Sequence, residues 1–191
     1  NHGINLNPSQ WEAWELALSR RLQLVWGPPG TGKSRTARAI VVGAAVDAYN
    51  RSDSIRILIC ANNYNAMDNV LKSAYEYISE LLPRPVYEIY RLRSYYRSPP
   101  TDTSLRDIDL EINGFNPNPE VLDLKSRLND RIGITIVGTT PYQVHNLLTL
   151  NGGRAQAEMF DLVLIDEAYQ MDVPTAIIAI SSLANNGCIV L

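Results

Sequence analysis

The sequence predicts an α/β fold, a parallel sheet with helices on both faces. Three observations carry that prediction. Short apolar runs of strand length alternate with helix-length runs along the chain, as parallel strands joined by helical crossovers require. The runs "LQLVW" and "LVLID" are apolar nearly throughout, as buried strands are. The chain has 191 residues, 46% hydrophobic and 19% charged, enough for one domain with a real core.

Taken in order, "NPSQWEAWELALSR" (7–20) reads as a helix, with Ser9 as its N-cap and Trp11, Trp14 and Leu18 on one face. "LQLVW" (22–26) reads as a buried strand stopped by Gly-Pro-Pro-Gly. The tryptophans Trp11, Trp14 and Trp26 are expected in the core. "KSRTARAIVVGAAVDAY" (33–49) is a helix too apolar to be exposed on all sides, and "IRILIC" (55–60) is a β-branched strand. The helix over 66–82 is ended by Pro83, and "VYEIYRL" (86–92) is a strand. Residues 97–130 break the rhythm: "SPPTDTS" and "NGFNPNP" are turn-rich, with one helix at "PEVLDLKSRLN". This stretch reads as an irregular insertion on the scaffold. Strand 134–140, helix 141–150, strand 161–168, helix 174–184 and strand 188–191 complete the pattern.

Net charge is −3, whereas a stand-alone nucleic-acid binder is usually basic. The acidity is local. Residues 98–130 carry seven acidic and three basic residues, a net of −4, leaving +1 for the remainder. No apolar run approaches the ~18 residues of a membrane span, and the N-terminus shows no basic-then-apolar leader. Cys60 and Cys188 sit in apolar runs without metal-ligand spacing and are expected as buried strand residues. These features point to a cytoplasmic chain with no membrane partner. His2 and His145 have no partner spacing and carry no general-base assignment.

Gly27-Pro28-Pro29-Gly30-Thr31-Gly32-Lys33-Ser34 fits G-x-x-x-x-G-K-S between a strand and a helix, the context that confirms a phosphate-binding loop. Its glycines let successive N–H groups curl around phosphates, and the helix dipole adds to the attraction. Lys33 would bridge the β- and γ-phosphates, and the Ser34 hydroxyl would bind Mg2+. "LVLIDEA" is an apolar strand delivering Asp166 to the sheet's carboxyl edge, where it would anchor Mg2+ through water. Glu167 could then polarise the attacking water. "YRLRSYYR" interleaves Arg91, Arg93 and Arg97 with tyrosines. Such a mix suits single-stranded nucleic acid, and equally a domain junction or a sheet edge.

These motifs in order resemble the first RecA-like domain of an Upf-like superfamily-one helicase, over nearly the whole chain. "LNPSQ" resembles that family's adenine-reading motif, with Gln10 on the base. "GPPGTGKS" is its form of the phosphate loop, and Arg35 just beyond is placed in the same nucleotide site. "ILICANNYNAMDNVL", "YRL" with Ser94, and "IVGTT" resemble its following motifs, and "DEAYQ" its metal motif, with Gln170 near the γ-phosphate. The family usually has Pro-Ser-Asn where this chain has Asn62-Asn63-Tyr64. Asn63 can still donate to a phosphate, and Tyr64 either stacks on a base or packs at the helix start. Thr139 and Thr140 are placed on backbone phosphate.

The resemblance implies a RecA-like P-loop NTPase fold, ATP and Mg2+ as cofactors, and movement along single-stranded DNA or RNA from five-prime to three-prime. It also implies a second RecA-like domain that is missing here and would supply arginines, so this chain alone should bind nucleic acid weakly. Another reading is an NTP-dependent switch or assembly subunit that signals to protein partners without unwinding. A small-molecule kinase is disfavoured, because "DEAYQ" offers a water-polarising Glu and no acceptor lid is visible.

Overall fold

In the computed structural model, residues 5–28, 30–150 and 156–191 are described. Pro29 and His2 lie outside them. The first helix, α1 (Pro8–Ser19), is capped by Asn7 and not by Ser9. The reason is Pro8, whose fixed φ and missing N–H suit the first helical position. Asn7 Oδ1 accepts from the Gln10 N–H at 2.9 Å, and Ser9 only donates its hydroxyl to the same oxygen.

The strands and helices then follow the predicted alternation. They are β1 (Leu22–Gln23), α2 (Lys33–Asn50), β2 (Ile55–Ala61), α3 (Tyr64–Leu81) and β3 (Tyr87–Ser94). After these come α4 (Thr103–Arg106), β4 (Asp109–Ile112), α5 (Pro119–Asp130), β5 (Ile134–Thr139) and α6 (Pro141–Leu148). The chain continues through β6 (Phe160–Asp166), a 3-10 turn (Ala168–Gln170), α7 (Val173–Ile180) and β7 (Leu183–Val190). The seven strands lie in the order β1-β7-β6-β2-β5-β3-β4, and every neighbouring pair is parallel.

The sheet separates two cores, and alternation along each strand divides the side chains between them. Ile57 and Ile59 of β2 face α2 and α3, where Ile40, Val41, Met67 and Leu71 pack. Leu58 and Cys60 face α5 and α6, where Leu124, Val144 and Leu147 pack. Cys60 is thus buried as expected, while Cys188 is only half-buried. Trp14 lies over α2: its indole N–H donates to the Ala39 carbonyl at 3.0 Å, and a side chain at Gly43 would collide with the ring.

Three expectations need correction. The strand at 22–26 is neither long nor buried. β1 has two residues, Leu22 and Leu24 are exposed, and Trp26 is 91% exposed. β1 stands at the edge of the described sheet, so apolar character there does not mean burial. Trp11 is also partly exposed, its ring set edge-on against Trp14 at 5.3 Å. Finally, residues 97–130 are not irregular. The helix expected there is present as α5, capped by Asn118, and the segment also contributes β4, paired to β3 with Arg91 opposite Asp109 and Arg93 opposite Glu111. "DLEI" escapes a strand reading because two of its four residues are acidic. Those acids are paired: Arg91 contacts Asp109 at 2.7 Å and Asp68 at 2.6 Å, and Arg93 contacts Asp109 at 2.6 Å and Glu111 at 3.0 Å.

Among the described residues, no helix is long and apolar enough to cross a membrane.

Candidate nucleotide site and carboxyl edge

Because all seven strands run parallel, their carboxyl ends open on one edge, where ligands of α/β sheets collect. The segment after β1 curls there into the predicted loop. Gly30 and Gly32 take left-handed φ values of 82° and 86°, which a side chain would oppose. Gly32 caps α2, whose first-turn N–H groups have no intrahelical acceptor and so can face an anion. Lys33 opens that helix. Its ammonium donates to the Gly27 carbonyl at 2.7 Å and the Pro28 carbonyl at 3.2 Å, so the loop itself holds the cation at its centre. The Thr31 hydroxyl donates to the Pro28 carbonyl at 2.8 Å and closes the turn. Ser34 and Arg35 are exposed at the helix start, and Arg35 reaches back to the Asn5 carbonyl at 3.4 Å.

β6 delivers the carboxylates. Asp166 is its last residue, and Glu167 follows with a left-handed φ of 53°, an uncommon conformation for a residue with a side chain. Burial pushes the Asp166 carboxyl above its ordinary value. The Glu167 charge adds to the rise, while the Glu167 N–H and the Lys33 ammonium oppose it. Asp166 accepts that N–H at 3.0 Å. Gly27, Pro28, Lys33, Asp166 and Glu167 line one cleft of about 630 Å3, so loop and acidic pair meet as the sequence predicts.

Gln10 joins the loop from α1. Its amide donates to the Thr31 carbonyl at 3.1 Å, while its oxygen accepts the Asn7 N–H at 3.0 Å. Gln170 sits in the turn after β6. Its side chain donates to the Tyr169 hydroxyl at 3.0 Å, and its carbonyl accepts from Asn62 Nδ2 at 3.2 Å. Asn62 was assigned nothing from sequence; it ties the end of β2 to the end of β6, a link no local pattern announces.

The residues placed on nucleic acid divide. Asn63 caps α3 through its side-chain oxygen, accepting the Ala66 N–H at 2.9 Å, and its NH2 remains a donor. Tyr64 is packed. Its hydroxyl accepts the Ser94 N–H at 3.0 Å, and the Arg91 and Arg97 guanidiniums lie 4.9 and 5.0 Å from its ring centre. A base would have to displace them. Thr139 is fully buried and its hydroxyl donates to the Leu92 carbonyl at 3.0 Å, so it is not available to a phosphate. Thr140 is also buried, at 7% exposure, but it caps α6 without using its side chain, so its hydroxyl is reachable only at the margin. Arg91 and Arg93 are buried in the ion-pair network and cannot serve as strand contacts.

Fold and site together define a P-loop nucleotide-binding domain of RecA-like form. The AAA domain family matches residues 5–111, more than half of the chain, and the chain belongs to that family. It is similar to the ATP-dependent helicase upf1 of Schizosaccharomyces pombe, 30% identical over 130 residues, which is 65% of this chain and 13% of that protein. It is similar to the DNA-binding protein SMUBP-2 of Rattus norvegicus, 33% identical over 72 residues, 37% of this chain and 7% of that protein. The fold is shared with the Type ISP restriction-modification enzyme LlaGI, solved as a nuclease-deletion mutant with a DNA substrate mimic. The TM-score is 0.59 at 14% identity, covering 97% of this chain and 17% of that one. The chain therefore spans a small part of each relative. Nucleotide use is what the family and these relatives establish, on a RecA-like fold.

Proposed function

We propose that this chain is the nucleotide-hydrolysing half of a motor that moves on single-stranded DNA or RNA. The observation that carries the reading is the meeting of Lys33, Asp166 and Glu167 in one cleft at the carboxyl edge. ATP would enter with its phosphates against the first turn of α2. Lys33 would exchange the Gly27 and Pro28 carbonyls for β- and γ-phosphate oxygens. The donor set fits Mg2+: an exposed Ser34 hydroxyl would ligate it directly and the Asp166 carboxylate would hold it through water, hard oxygen donors few enough to leave room for waters and phosphate. When bound, the ion neutralises charge on the phosphate oxygens.

Glu167 would accept a proton from water as the water oxygen attacks the γ-phosphorus. The bond to the bridging oxygen breaks, giving ADP and inorganic phosphate. Gln10, which already braces the loop, would meet the base, and Gln170 would meet the γ-phosphate side. Asn63 and the Thr140 hydroxyl would hold strand phosphates, which position without specifying sequence.

The exposed Trp26 and Tyr169 on the cleft rim support a further wall. We assign that wall to a second RecA-like domain carrying arginines, worth ~10³–10⁵ in turnover where such fingers act.

Isothermal titration of this chain with Mg-ATP tests the site. Lys33→Ala should lose about two orders of magnitude in affinity, since a charge-assisted contact to phosphate is worth ~1.5–3 kcal/mol. Wild-type affinity in the variant would contradict the site. Strand-stimulated hydrolysis by the complete motor would support movement; nucleotide-dependent partner binding without it would favour a switch.

A further inference from the structure

The carboxyl edge has a second half, and its surface is aromatic. Among the described residues eight aromatic side chains are exposed, and six of them follow the carboxyl end of a strand. Two of the six, Trp26 and Tyr169, belong to the nucleotide cleft. The other four follow the ends of three neighbouring strands. Tyr95 and Tyr96 follow β3, Phe115 follows β4, and Tyr142 opens α6 after β5. Tyr96 is 81% exposed, Phe115 94% and Tyr142 66%. Folding stability does not ask for a nearly bare phenylalanine, and a cluster of such groups marks a binding surface.

Sheet order places them side by side. β5, β3 and β4 are consecutive neighbours, so their ends span about 10 Å, the reach of two or three stacked bases. The Tyr95 and Tyr96 ring centres are 3.8 Å apart. The loop before Phe115 lies on α6, since a side chain at Gly114 would stand 3.1 Å from Asn146 Oδ1. Asn63 and Thr140 lie at the ends of the neighbouring strands β2 and β5.

Most of the charge beside this surface is spent internally, although Arg97 is exposed and makes no ion pair among the described residues. Arg91 and Arg93 are paired with Asp68, Asp109 and Glu111, and Arg97 leans on the Tyr64 ring. Phosphate attraction is therefore a weak source of affinity here, and flat exposed rings are the available one.

We propose that Tyr96, Phe115 and Tyr142 form a base-stacking track for single-stranded nucleic acid. This rests on the strand-binding reading above and adds the mode of contact. The track grips bases by their faces, tolerates any sequence, and responds little to salt, because few counterions are released.

The test is fluorescence anisotropy of this chain with labelled oligothymidylate and with an abasic strand of equal length. Tyr96→Ala, Phe115→Ala and Tyr142→Ala should each weaken oligothymidylate binding about fivefold or more, the low end of base–aromatic stacking. Abasic binding should not change, and Tyr96→Trp should keep wild-type affinity. Variants that bind oligothymidylate like the wild type overturn the track and leave the strand-binding reading standing. Equal losses on both strands also overturn it, since stacking needs bases. A wild-type chain that binds neither strand, even at the high protein concentration that weak single-domain binding calls for, overturns the strand-binding reading itself, and the track with it.

Discussion

The two ends of β6 carry two aspartates with opposite fates. Asp161, near the amino end, accepts a bidentate Arg56 at 2.9 and 3.0 Å, the Arg56 backbone N–H at 3.0 Å, and Arg131 at 3.1 Å. Burial alone would raise its pKa, but these partners hold it below the ordinary value. Asp166, at the carboxyl end, is also half-buried, has one backbone donor, and is pushed up. One edge of the sheet is electrostatically finished without a ligand. The other is left unfinished, and a cation with a phosphate chain would complete it. The same contrast holds for the cations: the Arg56 guanidinium is closed into the fold, while the Lys33 ammonium rests on loop carbonyls it can leave.

Changes confined to one edge should therefore move only one property. The largest effect is expected from Glu167→Gln in the complete motor. The amide keeps shape but cannot take a proton, so turnover should fall ~10²–10⁴-fold with nucleotide binding and thermal stability unchanged. Near-normal single-turnover hydrolysis would remove Glu167 from water activation. Arg56→Ala strikes the other edge. It leaves the half-buried Asp161 with only the residue-56 backbone N–H and Arg131, and it removes the 3.1 Å contact to the Leu128 carbonyl, so urea denaturation should show a loss of roughly 1–3 kcal/mol with Mg-ATP affinity intact in the surviving folded protein. A loss under 1 kcal/mol would show that the amino edge is not closed as described. The smallest effect is Thr140→Ala. Loss of one phosphate hydrogen bond should weaken single-strand binding by roughly 1 kcal/mol, alike for all sequences. A base-dependent loss would place Thr140 on a base instead.

What the sequence made legible was local. The phosphate loop needs glycines at fixed offsets, and Asp166-Glu167 ends an unmistakable apolar strand, so both were readable as motifs. What escaped depends on neighbours far along the chain. β4 is four residues with two acids, and only Arg91 and Arg93 across the ladder make it a strand. Thr139 and Thr140 read alike, yet one more residue of strand turns the first inward to the Leu92 carbonyl. Tyr64 could stack or pack, and two guanidiniums decide for packing. Trp26 looks like core, but β1 has a neighbour on one side only within the described sheet.

pH separates the two edges as well. Asp161, with a folded pKa below its unfolded value, contributes stability that is present above the unfolded pKa and lost as pH falls through the folded one. Asp166 runs the other way. Its folded pKa is raised, so its ionised form opposes folding at neutral pH, and that opposition fades as pH falls through the folded value.

The direct test is therefore a paired measurement on Asp161→Asn and Asp166→Asn at neutral pH: thermal unfolding alongside calorimetric titration with Mg-ATP. Asp161→Asn should lower Tm and leave Mg-ATP affinity unchanged. Asp166→Asn should hold or raise Tm, because a desolvated charge is gone, and should lose the Mg2+-dependent part of the affinity. An Asp166→Asn chain that binds Mg-ATP as the wild type does would contradict the assignment of the unfinished edge to nucleotide and metal.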